Sequence, residues 1–124
     1  TLKLAMRIGR RPLTVLVDLG LASNYFDTQE CTARRLKIEA EDQPKELKMA
    51  DGTVVRMEGR VQVNLKCGGY RGSILARVFP QMNKQMILGI PWLVKENPHI
   101  DWTQAEVVIK KGQNWIMLPL AKPK

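Results

Sequence analysis

The chain has 124 residues, of which 44% are hydrophobic and 26% charged, and its 20 Lys and Arg against 12 Asp and Glu give a formal charge of +8. That size holds one compact domain, 1–124, with a real core but not two. The composition excludes a disordered or fibrous chain, and no apolar run approaches the ~18 residues of a transmembrane helix, so no membrane partner is expected.

The two cysteines, Cys31 and Cys67, have neither Cys-x-x-Cys spacing nor histidine partners. They read as reduced thiols of an intracellular protein, and no metal or other cofactor is expected. The start at Thr1, without a signal-peptide pattern, points to a piece cut from a longer chain. A basic excess permits nonspecific attraction to nucleic acid. Yet Arg10-Arg11, Arg34-Arg35 and Lys110-Lys111 lie far apart with no aromatic ladder among them, which reads as a solvated basic surface.

Residues 2–8 alternate apolar and polar, the period of a half-buried strand. Gly9-Arg10-Arg11-Pro12 is a turn signal, and the apolar run 13–18 forms the second strand of a hairpin, delivering Asp18 at its exit. A loop follows over 20–25. Asp27 with Glu30 has the spacing of a capping box and predicts a helix over 28–36. Residues 39–44 are a polar loop. Extended runs 46–49 and 53–57 flank Ala50-Asp51-Gly52, a hairpin signal. Strands 61–67 and 71–79 pair around Gly68-Gly69, and 80–85 is a connection. Residues 86–88 are a buried strand stopped by Gly89. A short helix covers 90–95, with Pro91 in its first turn, and Asn97-Pro98 ends it. Strands 105–109 and 115–120 turn at Lys111-Gly112, and 121–124 form a frayed tail. About eight short strands and one or two short helices make the fold mostly β.

The chemistry centres on Asp18. A carboxylate closing a buried strand is costly unless paired or protonated, and Gly20 lets the backbone turn tightly beside it. On this pattern alone, Asp18 is either a loop-capping residue or a catalytic acid. His99, the single histidine, has no Ser or Cys motif to serve, and Asp51 reads as a turn residue.

A second set of residues bears on that choice. Met86-Ile87-Leu88-Gly89-Ile90-Pro91-Trp92-Leu93 is followed by Asn97-Pro98-His99-Ile100-Asp101-Trp102. With the Asp18 loop, these stretches closely resemble the protease domain of Ty3/Gypsy-type long-terminal-repeat retrotransposons, a retropepsin-like family, over residues 13–109. The resemblance implies a closed acid-protease β-barrel with one lobe per chain and an aspartic endopeptidase that processes a polyprotein. It implies Asp18 as the catalytic acid. Gly20, Leu21 and Ala22 of its loop, Ala50, Asp51 and Gly52 of a flap, and Ile87 become the substrate-binding residues. It also places residues 2–8 and 115–120 among the terminal strands that contribute to a dimer interface.

Carboxylate-driven hydrolysis needs two acids close together. At about 3 Å apart they share one proton, so one acts as base on a water while the other polarises the carbonyl. With one such Asp per chain, the second must be Asp18 of another copy, which makes the protein a homodimer. The loop departs from the family pattern, in which a hydroxyl residue, Ala and Ser or Thr stand where this chain has Leu19, Leu21 and Ala22. That leaves a slow or unusual protease, a non-cleaving dimerisation or peptide-binding module, or an engineered variant. A basic nucleic-acid-binding β domain is the remaining alternative.

Overall fold

A computed structural model describes residues 2–43, 45–48 and 50–121. In chain order the elements are β1 (Leu2–Ile8), β2 (Arg11–Val17), β3 (Tyr25–Asp27), α1 (Thr28–Ala33), β4 (Glu46–Lys48), β5 (Val54–Arg56), β6 (Gly59–Cys67), β7 (Tyr70–Phe79), β8 (Met86–Leu88), α2 (Ile90–Glu96), β9 (His99–Asp101), β10 (Glu106–Lys111) and β11 (Asn114–Leu118).

Six of these strands close into a barrel in the order β1-β2-β8-β3-β7-β6. The alternation read from the sequence decides what fills it. Leu2, Leu4 and Met6 of β1, Leu13, Val15 and Val17 of β2, and Val61, Val63 and Leu65 of β6 point inward and are buried, while Lys3, Arg7, Arg60 and Gln62 point out. Each fully buried aliphatic side chain contributes roughly 1.5–3 kcal/mol. Because the side-chain period is two, a one-residue slip would turn that whole set to solvent. The register Leu4↔Val15 and Val63↔Ile74 is fixed in this way.

The β11-β10-β9 sheet closes one side of the core, to which it adds Val107, Ile109 and Leu118. Trp92 of α2 is its largest fully buried side chain. Its Nε1 donates to the Tyr70 hydroxyl at 3.0 Å, and that hydroxyl donates to Glu96 Oε1 at 3.2 Å. Lys111 Nζ sits 2.6 Å from Glu96 Oε2. One polar chain thus joins α2, β7 and β10, which is how Glu96 stays buried without being left unpaired.

Several expectations change. The helix expected over 28–36 stops at Ala33. Arg35 adopts φ 56°, and Leu36 N and Arg35 N donate to Cys31 O and Thr32 O, the two bonds of a Schellman ending made without the usual glycine. The capping box is half made. Asp27 Oδ2 accepts from Gln29 N and Glu30 N, but the Glu30 side chain binds Arg34 and Gln85 instead of returning to Asp27. The strands β3 and β9 were not expected. Within one copy, β1 pairs with β2 along its length, and its other edge meets β6 at Arg7↔Lys66 and Ile8↔Leu65 and the Leu4↔Leu120 bridge. Of the expected run 46–49, Met49 lies outside the described residues, as does most of the tail 121–124.

Candidate functional site

β2 lies between β1 and β8, and its parallel register with β8, Val17↔Leu88, ends where Asp18 begins. Asp18 N donates to Leu88 O at 3.0 Å, so the first residue outside the strand is still held by the sheet. Its carboxylate Oδ1 accepts from Gly20 N at 2.8 Å. A Cβ on residue 20 would stand 3.3 Å from that oxygen, a close fit that glycine avoids. The second carboxylate oxygen accepts no hydrogen bond from any described residue, and Asp18 is half-buried.

The loop beyond Asp18 is clamped to the β8–α2 junction. Ile90 N donates to Leu21 O at 2.8 Å, and Gly89 N donates to Asn24 Oδ1 at 3.0 Å. Asn24 Nδ2 reaches Leu75 O, and Asn24 O accepts from Arg77 N. A side chain at position 89 would collide with the carbonyl oxygens of Leu21 and Ser23. Gly89, which closes the apolar-apolar-Gly string 87–89, is therefore a steric requirement of the Asp18 loop.

The remaining candidates fall into two groups. Leu21 and Ile87 are brought together in an apolar cluster outside the barrel core, with Tyr25, Val55, Phe79 and Leu47. Leu47 and Val55 belong to the β4-β5 hairpin, so the hairpin expected as a flap packs its apolar face onto the strip beside the Asp18 loop. Gly20 lies at the turn, and Ala22 is exposed. At the hairpin tip Ala50, Asp51 and Gly52 are exposed, and Gly52 has φ 91°. Asp51 Oδ1 accepts from Thr53 N at 2.9 Å, and hydrogen bonding from Thr53 lowers its carboxyl pKa. Asp51 is the turn residue the sequence suggested.

Sequence reasoning gave no role to Asn24, which ties the loop to two strands, or to Tyr25, Leu47 and Val55 of the apolar strip. The alternation of 46–48 and 54–56 about the Asp-Gly turn held the signal for Leu47 and Val55. Among the described residues no cluster of three or more His, Cys, Asp or Glu is placed to hold a metal. Both cysteines are buried and free. Burial, with Asp27, Glu30 and Glu58 nearby, pushes the Cys31 thiol up to about 12, so it offers no nucleophile.

Residues 14–114 match the family model of the PEG10/RTL1 protease domain. No curated protein matches the chain. Among solved structures, the retroviral protease-like domain of Ddi1 from Leishmania major is similar over 98% of this chain and 94% of its own, with 15% identity and a TM-score of 0.74. EIAV protease complexed with the inhibitor HBY-793 is similar over 75% and 85%, at 22% identity and a TM-score of 0.53. A retropepsin-like aspartic protease from Rickettsia conorii is similar over 80% and 82%, at 13% identity and a TM-score of 0.55.

Proposed function

Since the chain belongs to the PEG10/RTL1 protease domain family, of retropepsin-like aspartic protease type, we propose that it is an aspartic endopeptidase in which two copies of Asp18 form the acid pair of a homodimer. Its substrate is an extended polypeptide, the polyprotein of a Ty3/Gypsy-type retroelement, cut inside the cell, and residues 1–124 of each copy act as a single domain. The observation that carries this reading is the placement of Asp18. Its backbone is held by β8, one carboxylate oxygen is engaged by Gly20, and the other is left without a partner among the described residues. Such an acid is oriented yet open, as a group that must share a proton with its twin requires.

The surface beside it supports a twofold partner. Leu19 is 56% exposed, and on α2, whose first turn is bonded to the loop, Ile90 and Val94 are 45% and 75% exposed. Ile90 and Val94 are four residues apart and share one helix face. A dimer burying this surface should cover more than about 1,000 Å² in total.

In the reaction the ionised Asp18 takes a proton from a water that attacks the scissile carbonyl, while the protonated Asp18 of the other copy donates a hydrogen bond to the carbonyl oxygen; the C–N bond then breaks as the pair returns a proton to the leaving nitrogen. Leu21, Tyr25, Ile87 and the hairpin residues Leu47 and Val55 supply the apolar wall for substrate side chains. Ala50, Asp51 and Gly52 form the flap tip that closes over the chain and excludes water.

Leu19 favours a second reading. It has no hydroxyl to bond across the twofold axis, which suits a dimeric peptide-binding module that holds an extended chain without cutting it. Incubating the protein with an unfolded polypeptide at mildly acidic pH, with and without an aspartic-protease inhibitor, separates the two. Inhibitor-sensitive cleavage supports the protease; peptide binding without cleavage supports the module.

A further inference from the structure

Basic residues that are scattered in the sequence are gathered by strand register onto one outer face of the barrel. Arg7 of β1 stands opposite Lys66 of β6, and Lys66 stands opposite Arg71 of β7. All three point away from the core, giving a row of three cations across three adjacent strands. Six residues along β6, Arg60 stands opposite Arg77 of β7. Lys95 of α2 reaches the same face, with its Nζ donating to Ser73 O at 3.2 Å. The two ends of this track are about 20 Å apart at strand rise. Gln62, Asn64 and Ser73, all neutral hydrogen-bonding side chains, lie between them on the outward side.

Two hollows follow the track. One of about 330 Å³ is lined by Asn64, Lys66, Arg71 and Ser73; the other, of about 430 Å³, includes Arg60, Gln62, Ser73, Arg77 and Lys95. Ser73 belongs to both, so the hollows adjoin. Among the described residues Arg7, Lys66, Arg71 and Arg77 form no ion pair, and Arg60 has only a 3.8 Å contact with the exposed Glu39. Glu41 lines the larger hollow, and the exposed Glu58 precedes Arg60 by two residues. Like charges directly opposite one another in a sheet are unfavourable. Here the repulsion is repeated at both ends with little acidic compensation, and a bound polyanion would relieve it.

We propose that this outer face of β1, β6 and β7 is a binding site for the sugar-phosphate backbone of single-stranded nucleic acid. An acidic peptide fits less well, because the cations of this face stand on outward side chains and not along a backbone edge. β7 meets β3 over Arg77–Phe79, and β6 is met on its far side by β1 at Leu65 and Lys66 and by Glu39 at Arg60. A strand added at the edge stretches left between these pairings would leave most of the outward cations unused. The face offers side-chain cations and amide or hydroxyl groups, the chemistry that phosphate and sugar oxygens take. Trp92, the aromatic side chain lining the larger hollow, is 1% exposed and offers no face for base stacking, so binding is independent of sequence. The larger hollow reaches Ser23 and Asn24 at the far end of the loop that follows Asp18, but none of its cations touches Asp18, and the site does not depend on whether Asp18 cleaves.

The test is fluorescence anisotropy with a labelled mixed-sequence 20-nucleotide RNA across a salt series. Six phosphate contacts give a slope of log affinity against log salt of about −4. Lys66→Gln with Arg71→Gln should weaken binding at least tenfold and make the slope shallower by about 1.4. The control pair Lys37→Gln with Lys84→Gln, an equal charge change at exposed positions elsewhere, should change affinity less than threefold. Thermal unfolding of each variant checks that the exposed substitutions leave the fold intact, and Arg60→Gln with Arg77→Gln provides a second pair on the track. Absence of RNA binding by the parent at low salt would overturn the proposal. So would equal weakening by the control pair, which would mean diffuse attraction to net charge, or competition by poly-glutamate as strong as that by unlabelled RNA.

Discussion

The amide of Gly89 donates to Asn24 Oδ1 at 3.0 Å, joining residues 65 apart in sequence. This bond fastens the loop that carries Asp18 to the turn between β8 and α2. Replacing Asn24 by Leu leaves a buried amide unsatisfied, at a cost of about 1–3 kcal/mol. Gly89→Ala forces apart the carbonyls of Leu21 and Ser23 and costs a similar ~1–3 kcal/mol. Thermal melts should show both variants several degrees below the parent. An unchanged melting temperature for Gly89→Ala would mean the loop does not pack as described.

The chain Trp92–Tyr70–Glu96–Lys111 predicts a second stability effect. Tyr70→Phe keeps the ring but removes the acceptor of Trp92 Nε1 and the donor to Glu96. We expect a loss of about 1–3 kcal/mol in denaturant unfolding, since buried polar groups are left without partners. A loss under 0.5 kcal/mol would show that water or Lys111 replaces the hydroxyl.

Cys31 gives a pH prediction. Its thiol is raised from 9.0 to about 12, first by burial and then by Asp27, Glu30 and Glu58. The folded state therefore holds the proton more tightly than the unfolded chain. The stability this confers is complete below about pH 9 and is lost as pH rises from there through about 12. Cys31→Ala lacks this dependence and leaves a small cavity. The parent should start more stable at pH 7, and the gap should close as pH rises to 10.5. A constant gap across that range would contradict the assignment.

Much of this was legible from residue pattern because the barrel depends on alternation. Strands 2–8, 61–67 and 71–79 announce their buried faces, and the Asp51-Gly52 turn announces the hairpin. The strands β3 and β9, three residues each, are too short to show a period; they form because Asn24 and Asp101 fix the adjoining turns. Asp101 Oδ1 accepts from Thr103 N and Gln104 N, and Asn97 ends α2 with φ 44°. Turn chemistry thus brackets β9, with Asn97 ending α2 before it and Asp101 capping the turn after it, and the pairing of 99–101 with β10 between them shows no period. The premature end of α1 was hidden because Arg35, rather than glycine, takes the left-handed position. The basic track on β1, β6 and β7 was invisible for another reason: only register brings Arg7, Lys66 and Arg71 side by side.

Leu19→Thr tests what the loop has lost. A hydroxyl there would bond across the twofold axis for about 1 kcal/mol net, while an exposed Leu pair meeting there would bury apolar surface worth roughly 1.5–3 kcal/mol per side chain if fully covered. Dimer affinity can therefore move either way. Turnover should rise, because an acid pair misplaced by about 1 Å can lose ~100-fold in rate. Turnover and dimer dissociation measured side by side decide it. A Thr variant that dimerises equally well and is no faster would shift attention to Leu21 and Ala22.

The most direct measurement compares the parent with Asp18→Asn on an unfolded polypeptide at mildly acidic pH, following cleavage by mass spectrometry and association by analytical ultracentrifugation. The account predicts inhibitor-sensitive cleavage by a dimeric parent. It predicts no detectable cleavage by Asp18→Asn, whose fold and dimer persist because removing the two charges relieves their repulsion. Cleavage at the parental rate by the Asn variant, or cleavage by a parent that remains monomeric at every concentration, would contradict it.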